Sequence, residues 1–596
     1  MTTISPFAEL LGQAAYHFAI IKPLLPTYGH LIISALFPIY IAAHASLSRP
    51  SSAAKQPKNS GNDGDLSEDE EEDDGAGPWQ KMEGLAPSDA LMFPLMAGLT
   101  LGSLYLVIKW LEDLAILNKI LNIYFSQMGM FFAMAFLKDG LLISRAFVFP
   151  RRYRHRGKIW KVDQSERRFV VVDPKSSDLS NAQVRRSPLP ASLGTMHLPD
   201  WTMKSLWSFR ELLYQKATLR ARVHRLFSIN AFFGLLDIMA GVLALFAVVY
   251  FTFVAKPWWL TNFFGFSFCY GVLQVLSPST FWTGSLILGS LFFYDIYFVF
   301  FTPLMVTVAT KLDVPIKLLF PRPPSPDEDP NISPLTMLGL GDIVIPGMMV
   351  GLALRYDIFL YYRRKAIQIA QATGQKGDKV KPFYQSATGG WDERLWAPSA
   401  PSQDPELEPP YHDARSFPKT YFYSSLVGYA IGMIATLLVM QYSKHAQPAL
   451  LYLVPGVLIS LWGTAFAKGE FRSMWNFSDS VKDDAERNEQ EQKDGSNSTP
   501  SGIERSLFSR LWSGDIKAFA DILQENKRPS GSADGKNNES ITFSSALVKG
   551  GPVTGEKIGV EASNAGTNDE PTDDDKEEKE LISISISVPQ KLTEQK

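Results

Sequence analysis

The sequence predicts an all-α membrane protein of about nine transmembrane helices, with polar loops and a long polar tail. Three observations carry this. The mean hydropathy is near zero, yet it averages two populations: apolar stretches such as Val242 to Val254 and polar ones such as Gly61 to Asp74. Apolar runs of roughly 17–25 residues recur along the chain. Basic residues gather in alternate loops, as they do on one face of a membrane.

The runs fall near 28–47, 88–110, 119–137, 230–254, 259–277, 280–302, 334–358, 420–442 and 447–467. Residues 1–27 lack a basic start followed by a compact apolar run and a cleavage site, so the first span reads as the targeting signal. The block 28–137 holds three spans and an acidic loop at 48–87, whose run Asp65 to Asp74 reads as disordered. Ser67, three residues before Glu70, suits acidic-directed phosphorylation, although a solvating run is the simpler reading.

The block 138–229 is a basic insertion. Between Lys138 and Arg225 there are 19 Lys/Arg against 7 Asp/Glu, including Arg151, Arg152, Arg154 and Arg156. Within it, Lys158 to Val162 and Arg167 to Val172 flank Asp163–Glu166, which predicts a hairpin followed by a helical approach to the fourth span. The block 230–472 carries spans four to nine, with a loop at 359–419 that opens on Arg363, Arg364 and Lys365. Lys468 and Arg472 follow the last span. These basic sites share one side, so the positive-inside rule places 1–27 in the lumen and 473–596 in the cytosol as a mostly disordered tail. The tail has one amphipathic stretch, Ile503 to Leu523, and a strand-like alternation at Leu581 to Val588 with no partner visible in the sequence. Asn331, Asn476, Asn497 and Asn538 begin glycosylation sequons; sugar on any of the last three would overturn this orientation.

Composition narrows the function. A net charge of -3 offers no global basic field for nucleic acid. The single cysteine, Cys269, excludes an internal disulfide and any Cys-based zinc site, and it reads as a small buried thiol. No cofactor or metal is expected. No His-Glu-x-x-His occurs, and none of the eight histidines pairs with a Gly-x-Ser in a neighbouring span. His445 reads as structural.

Two charges stand where charge is costly. Asp295 lies in Leu291-Phe-Phe-Tyr-Asp-Ile-Tyr-Phe-Val-Phe300 and Asp342 in Met337-Leu-Gly-Leu-Gly-Asp-Ile-Val-Ile-Pro-Gly347, neither with a cation nearby in sequence. A carboxylate inside a span costs several kcal/mol, so each is a functional candidate, with a helix-gluing hydrogen bond as the simpler alternative. Counted from the span ends near Thr302 and Pro334, both lie about 10–12 Å below one membrane face at roughly 1.5 Å per residue. Adjacent antiparallel helices would bring them together, and two close carboxylates share one proton: one serves as base toward water, the other as acid toward a carbonyl. Gly339 and Gly341 remove bulk beside Asp342, and Pro346 meets the Asp342 carbonyl four residues earlier. Gln447-Pro-Ala-Leu-Leu-Tyr-Leu-Val-Pro455 opens the ninth span, where Pro448 by itself reads as a helix-start proline.

Together, Tyr294-Asp295, Gly339-Leu-Gly-Asp342 and Pro448-Ala-Leu450, on spans six, seven and nine, resemble the GxGD intramembrane aspartyl proteases, presenilin and the signal peptide peptidases. Gly-Leu-Gly-Asp-Ile-Val-Ile-Pro-Gly and His445-Ala-Gln-Pro-Ala-Leu-Leu-Tyr-Leu-Val-Pro are nearer the peptidases, as is the predicted orientation. The resemblance covers about 88–138 and 230–472. It implies a presenilin-like fold and a catalytic pair, Asp295 and Asp342. It also implies that Tyr294 lines the pair, and that Gly339, Leu340, Gly341, Pro448, Ala449 and Leu450 shape the site and place substrate. Its substrates would be remnant signal peptides and N-in membrane anchors, unwound locally in the lipid bilayer of the endoplasmic reticulum. Membrane-protein degradation factors are partners it suggests, and a homo-oligomer is compatible with it. The chain ends Lys591-Leu-Thr-Glu-Gln-Lys596, without the paired lysines of many relatives. A transporter or channel using the two aspartates as proton or cation ligands is the alternative, weakened because no second copy of the glycine–aspartate element occurs.

Overall fold

The computed structural model describes residues 22–54, 83–111, 114–156, 158–172, 184–223, 227–312, 317–322, 334–374, 381–396, 417–443, 447–479 and 582–587, apart from positions 192, 197, 386 and 390. Most of the acidic loop, the Ile503 to Leu523 stretch and His445 lie outside the described residues.

Proline starts the first helix, α1 (Leu25–Ala45), and its Leu31, Ala35, Ile39 and Ala42 face the core at helical spacing. A short strand, β1 (Glu83–Leu85), precedes α2 (Asp89–Trp110), whose Asp89 carboxylate accepts the Ala86 N–H at 2.8 Å. Helix α3 (Leu114–Val148) has 35 residues and overruns the expected 119–137 span. The polar positions past 137 are satisfied by neighbours: Asp139 accepts the Tyr270 hydroxyl and Lys138 pairs with Asp237 at 2.8 Å.

The insertion folds. The predicted hairpin is β3 (Lys158–Asp163) against β4 (Arg168–Val172), and β2 (Arg152–His155) and β5 (Val184–Arg185) extend it into a four-stranded antiparallel sheet. Tyr153, Trp160 and Phe169 are buried on one side, where Trp207 of α4 (Asp200–Tyr214) covers them. A strand then replaces the expected start of the fourth span. β6 (Lys216–Val223) and β7 (Phe227–Gly234) precede α5 (Leu235–Phe253), because Asp237 accepts the Gly234 N–H at 2.8 Å and fixes the helix start.

Helix α6 (Trp258–Val275) occupies the expected fifth span. Among the described residues eight helices are long and apolar enough to cross a membrane, and α6 is not one of them. Thr261, Asn262, Ser267 and Gln274 lower its apolarity, and they are buried inside the bundle rather than turned to lipid. After β8 (Leu276–Pro278), which runs parallel to β1, α7 (Phe281–Phe300) is capped by the Thr280 hydroxyl, which accepts the Thr283 N–H at 3.1 Å. α8 (Leu304–Lys311) leads to the hairpin β9 (Lys317–Pro321) and β10 (Leu335–Gly339), with Gly339 opposite Lys317.

The most deeply buried of the spanning helices is α9 (Gly341–Thr373). The expected span began near Pro334, but Leu335–Gly339 is strand, so the helix starts seven residues later and its tail reaches into the 359–419 loop. α10 (Trp391–Trp396), α11 (Thr420–Ser443), α12 (Leu450–Ala467) and α13 (Phe471–Trp475) follow. α9 packs against α1, α6, α7, α11 and α12, and its Tyr356 and Tyr362 are fully buried. β11 (Ile582–Ser587) is the strand-like tail segment; it pairs antiparallel with β6, Ile582 opposite Val223, in a separate unit with sheet order β11-β6-β7.

Candidate active site

The helix start places Asp342. Asn262 of α6 binds β9 at Leu319 twice, its amide donating to the Leu319 carbonyl at 2.8 Å and accepting the Leu319 N–H at 2.7 Å. β9 holds β10 by its ladder, and β10 delivers Gly339, Leu340 and Gly341 into the first turn of α9. Leu340 is buried, and its side chain lies over Gly265 of α6 beside Leu318. Asp342 is therefore a first-turn residue rather than one eight residues deep in a span. A Cβ on Gly339 would sit 3.3 Å from its Oδ2, so a side chain here would crowd this carboxyl.

Pro346 cannot donate to the Asp342 carbonyl four residues back. Tyr429 of α11 supplies the missing donor, its hydroxyl reaching that oxygen at 3.3 Å. The main chain at Asp342 is thereby tied to α11, while the carboxyl is left half-buried.

Asp295 sits mid-helix in α7 and is buried, 3% exposed. Its Oδ2 accepts the Leu450 N–H at 3.0 Å. Leu450 is the first residue of α12, so this N–H has no partner inside its own helix, and the positive end of the helix dipole meets the carboxylate. Pro448 is buried just before the cap residue Ala449, and its carbonyl accepts the Leu451 N–H at 3.3 Å. The Pro-Ala-Leu element is thus both a helix start and the donor to Asp295.

Asp295 and Asp342 lie close enough for their charges to interact. Among the described residues neither meets a cation. Other buried or half-buried carboxylates are engaged: Asp89 with the Ala86 N–H, Asp237 with Lys138, Asp139 with Tyr270, and Asp357 with the N–H groups of Tyr421 (3.2 Å) and Phe422 (2.9 Å). Asp479 meets buried Arg355 at 2.6 Å. Sequence reasoning missed Arg355 and Asp357, although both stand within the apolar seventh span and carry the same signal as the two candidates.

Tyr294 is half-buried, its ring 4.5 Å from that of Phe298 and packed over Gly98 of α2. It neighbours the pair and closes the α2–α7 contact. No group of three His, Cys, Asp or Glu side chains among the described residues is arranged to hold a metal ion.

Residues 78–481 match the family model for signal peptide peptidase. The chain is 31% identical to a probable intramembrane protease of Schizosaccharomyces pombe over 240 residues, 40% of this chain and 63% of that protein. It is 32% identical to the signal peptide peptidase of Mus musculus over 251 residues, 42% of this chain and 52% of that protein. A probable intramembrane protease of Saccharomyces cerevisiae is 28% identical over 401 residues, 65% of this chain and 60% of that protein. The chain thus spans between about half and two-thirds of the length of these relatives. All nine site residues and every spanning helix after α1 fall inside the matched region, and the chain is a multi-pass membrane protein that belongs to the signal peptide peptidase family.

Proposed function

We propose that the chain is an intramembrane aspartyl endopeptidase whose catalytic pair is Asp295 and Asp342. The observation that carries this reading is a pair of carboxyls on packed helices, lacking any cation among the described residues, one of them held by an N–H of the Pro-Ala-Leu element. Close carboxyls share one proton. The ionised member takes a proton from water, and the resulting hydroxide attacks the scissile carbonyl carbon. The protonated member gives its proton to the carbonyl oxygen, and a tetrahedral diol forms. Collapse breaks the C–N bond, the amine leaves with a proton, and the pair is restored.

A helical substrate hides its carbonyls in its own hydrogen bonds, so the bond to be cut must unwind first. β10 suits that step. It ends beside Asp342, and among the described residues only β9 pairs with it, so its other edge can bind an extended backbone. Gly339, Leu340, Gly341, Pro448, Ala449 and Leu450 then shape the site, and Tyr294 lines it.

The similarity to a signal peptide peptidase and to intramembrane proteases supports remnant signal peptides as substrates, and N-in membrane anchors at the endoplasmic reticulum membrane complete the reading. The basic loops support a lumenal 1–27 and a cytosolic 473–596. Membrane-protein degradation factors and a second copy of the chain are further partners of this reading. The transport reading has no observation in its favour among the described residues.

The test is cleavage of a defined signal-peptide substrate by purified protein in liposomes. Wild type should give product that a hydroxyl-bearing transition-state isostere blocks. Asp342→Asn and Asp295→Asn should give none while melting as wild type does. Product from either variant would refute the pair.

A further inference from the structure

Helix α4 presents an unusual exposed side. Its buried positions, Trp207, Arg210 and Leu213, lie on one face. Past Asp200 at its start, its exposed positions, Trp201, Lys204, Ser205, Ser208, Phe209 and Leu212, follow i, i+3, i+4, i+7, i+8 and i+11, one continuous stripe on the opposite face. Trp201 is 72% exposed, Phe209 50% and Leu212 47%. The stripe holds no carboxylate and one lysine. Large apolar side chains aligned this way favour a surface that covers them.

The position of α4 says which surface. The Tyr214 hydroxyl donates to the Phe149 carbonyl at 2.6 Å, and Arg145 donates to the Leu213 carbonyl at 3.3 Å. Its inner face packs on Leu141 and Leu142 of α3 and on Leu235 and Leu236 of α5. α4 is therefore fixed to the ends of two membrane-spanning helices. The Lys138–Asp237 ion pair joins those two helices close to these ends. From Lys138 to Val148 is only about 15 Å of helix, so α4 lies within reach of the headgroup layer. The insertion that carries it has 19 basic residues against 7 acidic ones. Tryptophan, phenylalanine and leucine beside lysine is the composition that partitions into a headgroup layer and prefers anionic lipid.

We infer that the exposed face of α4 docks onto the anionic surface of the bilayer that the same chain spans. Trp201, Phe209 and Leu212 enter the headgroup layer, and Lys204 meets lipid phosphate. The anionic preference rests on the cytosolic placement of the insertion proposed above; the docking itself is independent of catalysis.

The full chain, in nanodiscs of phosphatidylcholine with or without about 30 mol % phosphatidylserine, tests this with a fluorophore at Ser208→Cys. A second protein carries it at Glu166→Cys, in the exposed β3–β4 turn. The native Cys269 is buried and is spared by the reagent. Headgroup spin-labelled lipid should quench the 208 probe at least about threefold more than the 166 probe. The difference should shrink without phosphatidylserine or in high salt. Replacing Trp201 and Leu212 by serine should abolish it; Phe209, whose ring packs edge-on to buried Phe149, is left in place so that the fold survives. Equal quenching at the two sites, or no response to phosphatidylserine, would overturn the inference. So would shielding of the 208 probe that rises with protein density and shows energy transfer between copies, which would assign the face to a second chain.

Discussion

Gly456→Ala tests whether the position of α12 sets the activity. α11 and α12 meet through glycines, Gly428 and Gly432 on one side and Gly456 on the other. A Cβ on Gly456 would lie 2.5 Å from the Gly428 carbonyl oxygen, where ordinary contact begins near 3.4 Å. The obstructing atom is helix main chain and cannot swing aside, so the two helices must part by about 0.9 Å. Six residues earlier, the same helix carries the Leu450 N–H, 3.0 Å from Asp295 Oδ2. A rigid shift of that size stretches this contact to as much as about 3.9 Å, beyond hydrogen-bonding range. Misplacement near 1 Å at a reacting group costs about 10²-fold in rate, and overpacking costs about 1–3 kcal/mol in stability. Gly463→Ala is the control on the same helix, since nothing lies within 4 Å of the added Cβ. Initial rates in liposomes, divided by active sites titrated with a tight-binding isostere, separate rate from folding, and thermal unfolding reads stability. Gly456→Ala should lose about 10²-fold per folded molecule, and Gly463→Ala should be unchanged within about twofold. A Gly456→Ala rate within about threefold of wild type would refute the claim that the Leu450 donor must be held in place.

Arg355 is 3% exposed and donates to Asp479, to Ser46 at 2.8 Å and to Ser277. Asp479→Ala should therefore cost about 3–5 kcal/mol in thermal unfolding, whereas Arg355→Met with Asp479→Leu should recover most of it. Tyr429→Phe leaves the Asp342 carbonyl without its donor. It should cost about 1–3 kcal/mol by the same measurement and lower turnover, because that bond ties the first turn of α9 to α11. In the insertion, burial opposes ionisation of Asp163. The Ser165 hydroxyl at 2.6 Å, the Glu166 N–H at 3.2 Å and Arg168 outweigh burial and hold the carboxyl below its usual range. A depressed folded value means that its stabilisation is present above the unfolded value near 3.9 and is lost as pH falls through the folded one. Corrected amide protection over Phe169–Val172 should thus drop below about pH 4, and Asp163→Asn should flatten that response.

How much of this was legible in the sequence depends on what each residue touches. The hairpin was legible because Asp163–Glu166 is a local turn between two β-rich runs. The alternation at Leu581 to Val588 was visible too, but its partner β6 is hundreds of residues away and no local pattern names it. The start of α9 was misplaced because Leu335–Gly339 is apolar in either conformation, and hydropathy does not separate a strand from a helix over five residues. The arbiter is Asn262, a polar residue on another helix that pins β9. The resemblance places Tyr294 beside the pair, and what no sequence pattern names is its second contact, the ring's packing over Gly98 of α2.

The two aspartates were found by their cost, and cost alone is a blunt criterion. Asp139, Asp237, Arg355 and Asp357 are also charges in long apolar helices, and each has a neighbour that accounts for it: a tyrosine hydroxyl, a lysine, a buried aspartate, the open end of α11. Those neighbours satisfy or neutralise the charge, as a structural role requires. Asp295 also accepts one N–H, from the open end of α12, but Asp295 and Asp342 differ from the others in facing each other, two carboxyls with no cation beside them among the described residues. A lone pair of carboxyls is a poor adhesive, because ionising both sets like charges against one another. It is a good proton store, because one proton serves either oxygen. The distinction that sequence could not draw is therefore the one that carries the functional reading: among the buried charges of this bundle, the catalytic candidates are the pair whose neighbours leave the protons free to move.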